Sequence, residues 1–213
     1  MNTGTRIRIA RWTGSIVVTA MVVALAGLSI VSGARSEEEE TAAKTALLII
    51  DVQQFYFPGG LMPLEKPEAA ARNCKRLLEK FRGDNGLIVH VGHNSNKEFA
   101  FHPDVEPLEG EKVFYKDEVN AFNGTGLLAY LREAGVGRLV VCGMQTHMCV
   151  EAAVRAAHDF GFECVLVGDA CATRDLKFGG ETVAANDVHN STLSTVDRTY
   201  GTVVDTQTYL ENY

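Results

Sequence analysis

The feature that most restricts the fold is a repeated alternation of short apolar segments with longer segments of helical spacing. The first apolar segment, residues 46–52 (ALLIIDV), is continuous and carries an acid near its end, as expected for a strand buried on both faces of a parallel sheet. Five more segments have strand character: 86–92, 112–116, 138–142, 163–168 and 201–205. Helical spacing occurs between most of them, at 67–81, 126–134, 147–160 and 181–193.

This alternation predicts the fold class. Parallel strands joined by helices need right-handed crossovers, which place helices on both faces of the sheet. We therefore predict a three-layer, Rossmann-like α/β fold with a mostly parallel six-stranded sheet, in one domain over residues 45–213. Ligands of such folds bind at the carboxyl ends of the strands, and this edge is where we look for reactive side chains.

The N-terminal segment has the pattern of an export signal. Three arginines precede an uncharged, mostly apolar run at 15–32, and Ser-Gly-Ala at 32–34 offers a cleavage site, so we predict a signal peptide over 1–34 and a periplasmic or secreted protein. The run is also near the lower length for a membrane span, so an uncleaved anchor is the alternative. Residues 35–44 are polar and charge-dense and predict a flexible leader.

Composition excludes several classes of partner. The chain has 20 Lys and Arg against 27 Asp and Glu, a formal net charge of -7, which disfavours nucleic acid and, after signal cleavage, anionic membranes. With 46% hydrophobic residues, it can form an ordinary core. Its five cysteines are too few for a disulfide scaffold, and we expect four of them to be packing residues: Cys74, Cys142, Cys164 and Cys171.

Three residues of different chemistry follow the predicted strands. Asp51 ends the first, Lys116 ends the third, and Cys149 lies just past the fourth, at the start of the next helix. A helix N-terminus and a nearby ammonium both favour the thiolate, so the pattern predicts that Cys149 is a nucleophile, ionised at neutral pH. Asp51 could exchange a proton with it, and Lys116 could hold the two anions together. Each residue alone is more often structural, and only their shared edge favours catalysis.

With these three residues, the sequence resembles the isochorismatase-like cysteine hydrolases, a family that includes nicotinamidases and N-carbamoylsarcosine amidase. The resemblance covers most of the chain after the leader and rests on three blocks. These are ALLIIDVQQFYFPGG with Asp51, FYKDEVNAFNGTGL with Lys116, and RLVVCGMQTHMCVEAAVRAAHDFGFECVLVGDACAT with Cys149. It implies that these three residues form a catalytic triad that hydrolyses a small amide or related bond through a thioester on the cysteine.

The resemblance also implies the surroundings of the triad. A cis peptide bond would join Met144 to Gln145, and the backbone N–H groups of Gln145 and Cys149 would bind the oxyanion. Independently of the resemblance, four aromatic residues beside the predicted site are candidates for an apolar substrate pocket, although core packing is an equal alternative for each. They are Phe55, Tyr56, Phe57 and Phe122.

We predict no metal and no cofactor. Nicotinamidases of the family use an Asp-x-His group with a further His as metal ligands, and that spacing does not occur between Asp51 and Lys116. His90 and His93 are the nearest candidates, but residues three apart at a strand end point to opposite faces, so we expect structural or rim histidines. His102 is followed by proline as in the family's metal loop, but it lacks the acid.

Two other functions stay open on the sequence alone. One is cleavage of the vinyl ether of isochorismate, which does not require a cysteine and is therefore disfavoured by the presence of Cys149. The other is a periplasmic protein that binds a small molecule without turning it over. The expected partner is in each case a small-molecule substrate or ligand, and the resemblance implies a homo-oligomer.

Overall fold

The computed structural model describes residues 43–94 and 99–213. Six parallel strands form the central sheet in the order β3-β2-β1-β4-β5-β8. Their bounds are β1 Lys44–Ile50, β2 Leu87–His93, β3 Lys112–Lys116, β4 Val136–Met144, β5 Glu163–Ala172 and β8 Thr202–Val204. The predicted fold class is confirmed, and the strand order puts the ends of β1 and β4 next to each other at the centre of the sheet.

Five α-helices cover the sheet: α1 Pro67–Gly83, α2 Leu127–Glu133, α3 Glu151–Asp159, α4 Ala185–Val196 and α5 Thr206–Asn212. Helices α1 and α5 supply buried residues to the core on one face. Helices α2, α3 and α4 do so on the other, and the two cores together make the three layers. The sequence of α1 favours a helix at both of its ends. Pro67 is its first residue, and the charges of Glu68 in the first turn and of Lys80 and Arg82 in the last turn complement the helix dipole.

Several elements differ from the sequence predictions. Strand β1 already includes Lys44, which we assigned to the leader. The predicted helix at 147–160 begins instead with a π-helical turn, Thr146–Val150, before α3. The predicted helix at 181–193 is displaced by a hairpin, β6 Leu176–Phe178 and β7 Glu181–Val183, so that α4 starts later. Two glycines in left-handed conformations, Gly179 and Gly180, form the turn of that hairpin.

The remaining predictions for the chain's first part fall outside the described residues. These are the signal peptide at 1–34, its apolar run and most of the leader. No helix within residues 43–94 and 99–213 is both long enough and apolar enough to span a bilayer. All five cysteines are buried and unpaired, as expected for the four assigned to packing.

Candidate active site

The ends of the central strands bring the three predicted residues into contact. Asp51 directly follows β1, Lys116 is the last residue of β3, and Cys149 lies in the π-helical turn that follows β4. The Lys116 Nζ atom is 2.9 Å from Asp51 Oδ2 and 3.3 Å from Cys149 Sγ. The carboxylate, the ammonium and the sulfur therefore form one cluster at the carboxyl edge of the sheet.

The cluster is shielded from solvent. Asp51 is fully buried, and Lys116 and Cys149 are 1% and 2% exposed. Isolated charges at this depth would be strongly destabilising, so the Asp51–Lys116 ion pair is what makes the arrangement tolerable. Lys116 also donates to the backbone oxygen of Glu118 at 3.1 Å. Neither Asp51 carboxylate oxygen has a well-directed hydrogen bond from the described residues, which leaves the group able to accept a proton.

The protonation state of Cys149 differs from our prediction. Burial and the adjacent Asp51 carboxylate raise the pKa of the Cys149 thiol to about 12, although Lys116 acts in the opposite direction. The expectation of a resting thiolate at neutral pH is therefore wrong. Moreover, Cys149 sits in a π-helical turn and not in the first turn of an α-helix. Burial likewise raises the pKa of the Asp51 carboxyl, which makes this group a better proton acceptor.

His93 is the member of the cluster that sequence reasoning missed. Its Nε2 atom lies 2.9 Å from Lys116 Nζ, 3.5 Å from Asp51 Oδ2 and 3.6 Å from Cys149 Sγ. We placed His93 among the structural or rim histidines, but as the last residue of β2 it stands between the two strands that carry Asp51 and Lys116. Burial lowers its pKa, which favours the neutral imidazole.

His90 occupies the opposite face of β2, as the strand alternation predicts. Its Nε2 atom is 2.8 Å from Glu111 Oε2, and Arg82 contacts the other oxygen of the same carboxylate at 2.6 Å. His90 is fully buried in this contact, which is a structural role. It is not part of the cluster around Cys149.

The ligand atoms of Asp51, His93 and Cys149 lie within 4.8 Å of one another, a spacing that could suit a metal ion. The Lys116 ammonium, however, is within 3.3 Å of an atom of each of these residues. The Lys116 Nζ atom already occupies the position from which a metal ion would contact all three of these atoms. The donor set therefore fits the lysine it already holds, and we derive no step through a metal.

A cavity of about 320 Å³ opens beside the sulfur and is lined mainly by apolar side chains. Cys149 and His93 reach its wall, whereas Asp51 and Lys116 lie behind them and do not line it. The other lining residues are Phe55, Tyr56, Leu61, Met62, Phe99, Val119, Gln145, Met148 and Arg174. The cavity thus offers space for a small, largely apolar molecule directly against the Cys149 thiol.

Of the four predicted aromatic residues, two line the cavity and two do not. Phe55 and Tyr56 lie in its wall. The Phe57 ring stacks on His102 instead, with ring centroids 4.0 Å apart. Phe122 packs in the core on the α3 side of the sheet, against Phe160 and Phe162. The structure therefore does not bring Phe57 or Phe122 into the cavity beside Cys149.

The segment before the nucleophile has the backbone that the family resemblance implies. The peptide bond between Met144 and Gln145 is cis. The Gln145 side chain crosses the cavity wall, donating to the Tyr56 hydroxyl at 3.3 Å and accepting from Arg174 Nε at 3.3 Å. Gln145 and Cys149, whose N–H groups are the predicted oxyanion donors, both line the cavity.

Arg174 is a second residue that sequence reasoning missed. It follows the end of β5 by two residues and supplies a guanidinium to an otherwise apolar wall. Its described polar contact is the amide oxygen of Gln145, and within residues 43–94 and 99–213 no carboxylate forms an ion pair with it. The cavity therefore carries a positive charge that no carboxylate of the described residues pairs with.

Comparison with known proteins agrees with this arrangement. The chain matches the Isochorismatase domain family over residues 45–207. It is 42% identical over 178 residues to the uncharacterized isochorismatase family protein YddQ of Bacillus subtilis, covering 78% of this chain and 99% of that protein. Streptothricin hydrolase of Streptomyces noursei is 37% identical over 143 residues, covering 62% of this chain and 50% of that protein.

A solved structure is similar over nearly the same region. The crystal structure of an isochorismatase from Pseudomonas putida has a TM-score of 0.75 and 36% sequence identity, and covers 78% of this chain and 91% of that chain. The family match includes the strand ends that carry Asp51, Lys116 and Cys149. The solved structure thus shares the fold of the matched domain.

Proposed function

We propose that this chain, which belongs to the isochorismatase family of hydrolases, is a cysteine hydrolase that cleaves a carbon–nitrogen bond in a small amide or related compound. The observation that carries the proposal is the position of the Lys116 ammonium, 2.9 Å from the Asp51 carboxylate and 3.3 Å from the Cys149 sulfur, which itself lies at the wall of an apolar cavity. The nucleophile Cys149, the base Asp51 and the compensating cation Lys116 are thereby in contact with one another beside a space large enough for a small substrate.

The raised pKa of the Cys149 thiol determines when its proton is lost relative to the attack of the sulfur on the carbonyl. Because Cys149 is a thiol at neutral pH, its proton leaves as the sulfur attacks, and the Asp51 carboxylate is the base that takes it. The sulfur–carbon bond forms while the carbonyl electrons move onto oxygen. Collapse of this tetrahedral species expels ammonia or an amine and leaves a thioester, which water then hydrolyses to the acid and free Cys149.

The developing oxyanion needs hydrogen-bond donors in the cavity. We assign this role to the backbone N–H groups of Gln145 and Cys149, two residues that line the cavity. Donors that are fixed in place before the reaction contribute about 3 to 4 kcal/mol to such transition states. The contacts of the Gln145 side chain to Tyr56 and Arg174 hold this segment against the cavity wall.

The cavity also limits the substrate. Its volume of about 320 Å³ admits a small molecule, and its apolar walls favour a compact hydrocarbon or aromatic body. Arg174 adds a cation with which no carboxylate of the described residues pairs, and this favours a substrate that carries an anionic group such as a carboxylate at the end remote from the scissile bond.

The test is a panel of small amides, ureido and carbamoyl acids assayed for ammonia or amine release with the purified protein. Wild type should cleave at least one of them, and Cys149→Ala should abolish turnover. Cys164→Ala is the matched control, since Cys164 is buried in the core away from the cavity and the variant should retain activity. Undiminished hydrolysis by Cys149→Ala would reject a cysteine mechanism.

The same assay separates the two other candidate functions. Pyruvate release from isochorismate, surviving in Cys149→Ala, would indicate ether cleavage. A compound that raises the melting temperature of wild type yet is recovered unchanged would indicate a binding protein. The direct contact of Lys116 with the cysteine sulfur favours cleavage through a covalent intermediate over either alternative.

We further propose that the protein is exported and cleaved after Ala34, on the pattern of residues 1–34. The mature chain would begin at Arg35, two residues before its run of four glutamates. N-terminal sequencing of protein recovered from the periplasm or medium tests this proposal. A chain that stays in the membrane with Met1 intact would support the uncleaved anchor.

A further inference from the structure

The members of the cluster differ in their solvent exposure, and the exposed part of the cluster faces the cavity. Asp51 and Lys116 have fully buried side chains, whereas 24% of the His93 side chain is exposed. Of the two proton acceptors in the cluster, Asp51 and His93, only His93 reaches the cavity wall. A proton that Asp51 takes from Cys149 therefore needs a carrier to reach a leaving group in the cavity.

One atom of His93 has the required contacts. Its Nε2 lies 3.5 Å from Asp51 Oδ2, the proton acceptor, and 3.6 Å from Cys149 Sγ, the nucleophile. The same atom is 2.9 Å from Lys116 Nζ. A neutral ring that accepts hydrogen bonds at Nε2 can bind a proton there and give it up to a neighbour.

The hydrogen bonds of Lys116 leave room for this exchange. Its ammonium has three N–H groups, but four acceptors lie within 3.3 Å: Asp51 Oδ2, His93 Nε2, Glu118 O and Cys149 Sγ. At any moment one of them lacks an N–H from Lys116, and in this structure it is Asp51 Oδ2, whose 2.9 Å contact with Nζ is an ion pair without a well-directed hydrogen bond. Rotation of the ammonium about the Cε–Nζ bond would turn one N–H from His93 Nε2 to Asp51 Oδ2 and leave the imidazole nitrogen free to bind a proton.

The backbone of His93 is held in place from a second direction. The Gln53 side chain is fully buried and spans the end of β2, where Oε1 accepts from the His93 N–H at 2.8 Å and Nε2 donates to the His93 carbonyl at 3.3 Å. Gln53 Nε2 also donates to the carbonyl of Phe99. A strand end fixed on both its N–H and its C=O can hold the imidazole in one orientation.

We propose that His93 is a further catalytic residue, which carries the proton from the buried Asp51 to the leaving nitrogen. The inference rests on the function proposed above. The proton first moves from Cys149 Sγ to Asp51 as the sulfur–carbon bond forms, and then from Asp51 to His93 Nε2. When the carbon–nitrogen bond breaks, its electron pair takes that proton, and the amine leaves neutral. In deacylation water gives one proton back along the same route to the sulfur.

The experiment compares two leaving groups on one acyl group. The substrates are the amide of the panel that wild type cleaves fastest and the 4-nitrophenyl ester of the same acid, whose leaving group needs no proton. His93→Gln should lose about 100-fold or more in kcat/KM for the amide and less than about tenfold for the ester. His158→Gln, on the exposed end of α3, is the matched control and should leave both rates unchanged.

A second variant covers the case in which His93→Gln disturbs the fold. His93→Ala should recover part of its amide hydrolysis when free imidazole is added, while wild type and Cys149→Ala should not respond. An equal loss on both substrates, or an undiminished amide rate, together with no recovery by imidazole, would overturn the role of His93. Ester and amide hydrolysis surviving in Cys149→Ala would instead overturn the proposed function itself.

Discussion

The Asp51 carboxylate and the Lys116 ammonium form a completely buried ion pair, 2.9 Å between Oδ2 and Nζ. The two residues stand at the ends of β1 and β3, and β2 lies between these strands in the sheet. The ion pair therefore spans the carboxyl end of β2, where His93 is the register partner of Lys116. This relationship explains why a histidine that no strand-end rule singled out contacts all three predicted residues.

The ion pair predicts a non-additive effect on stability. Lys116→Met or Asp51→Asn alone should lower the free energy of unfolding by about 3 to 5 kcal/mol, because each leaves a buried group without its partner. The double variant should be more stable than the sum of the two losses predicts, while all three variants should lack turnover. Urea unfolding of the four proteins measures the coupling, and strictly additive losses would contradict a buried pair.

The two charges that act on the pKa of Cys149 predict that removing one of them speeds alkylation of this thiol and removing the other slows it. The Asp51 carboxylate raises this pKa and the Lys116 ammonium lowers it. Asp51→Asn should therefore lower the thiol pKa and speed its reaction with iodoacetamide at pH 8, whereas Lys116→Met should slow it. Turnover should fall in both variants.

Mass spectrometry identifies the alkylated cysteine in that experiment and follows its rate. Asp159→Asn, an exposed change on α3, is the matched control and should react like wild type. A slower reaction of Asp51→Asn would show that the carboxylate promotes the resting thiolate, contrary to the electrostatics of the site.

The sequence was sufficient for the sheet and for three residues of the site. Continuous apolar runs mark strands buried on both faces, and β1 and β4 have this pattern most clearly. The hairpin β6–β7 was missed because its strands have three residues each and mostly exposed side chains, which leave no alternation to detect. The π-helical turn at 146–150 was missed because its residues also fit the start of an α-helix.

His93 and Arg174 were missed for a different reason. Alternation along β2 puts His90 and His93 on opposite faces of the sheet, but it does not by itself show which of the two shares a face with Asp51 and Lys116. His93 ends β2 and Arg174 follows β5 by two residues. The strand predicted at 86–92 stops one residue before His93, and the strand predicted at 163–168 stops six residues before Arg174, so the strand-end rule that selected Asp51 and Lys116 did not reach either residue.

Arg174 predicts a preference for anionic substrates. Arg174→Gln should raise KM about tenfold or more for an amide that carries a carboxylate, because a charge-assisted hydrogen bond is lost. The neutral analogue of the same amide should be affected much less. Steady-state kinetics on the pair measure the effect, and Arg132→Gln on the exposed surface of α2 serves as control. Equal changes for both substrates would show that Arg174 acts only by holding Gln145.

Position 143, in β4 next to the end of β1, has no space for a side chain. Its φ of +126° disfavours side chains, and a Cβ atom there would come within 1.9 Å of the Ile50 carbonyl oxygen, one residue before Asp51. Gly143→Ala should therefore lower the free energy of unfolding by about 3 kcal/mol or more, because β1 and β4 must separate. Gly83→Ala, at the end of α1 with no atom near its added Cβ, should change it by no more than about 1 kcal/mol. Urea unfolding tests both, and a Gly143→Ala variant as stable as Gly83→Ala would contradict the close contact of these two strands.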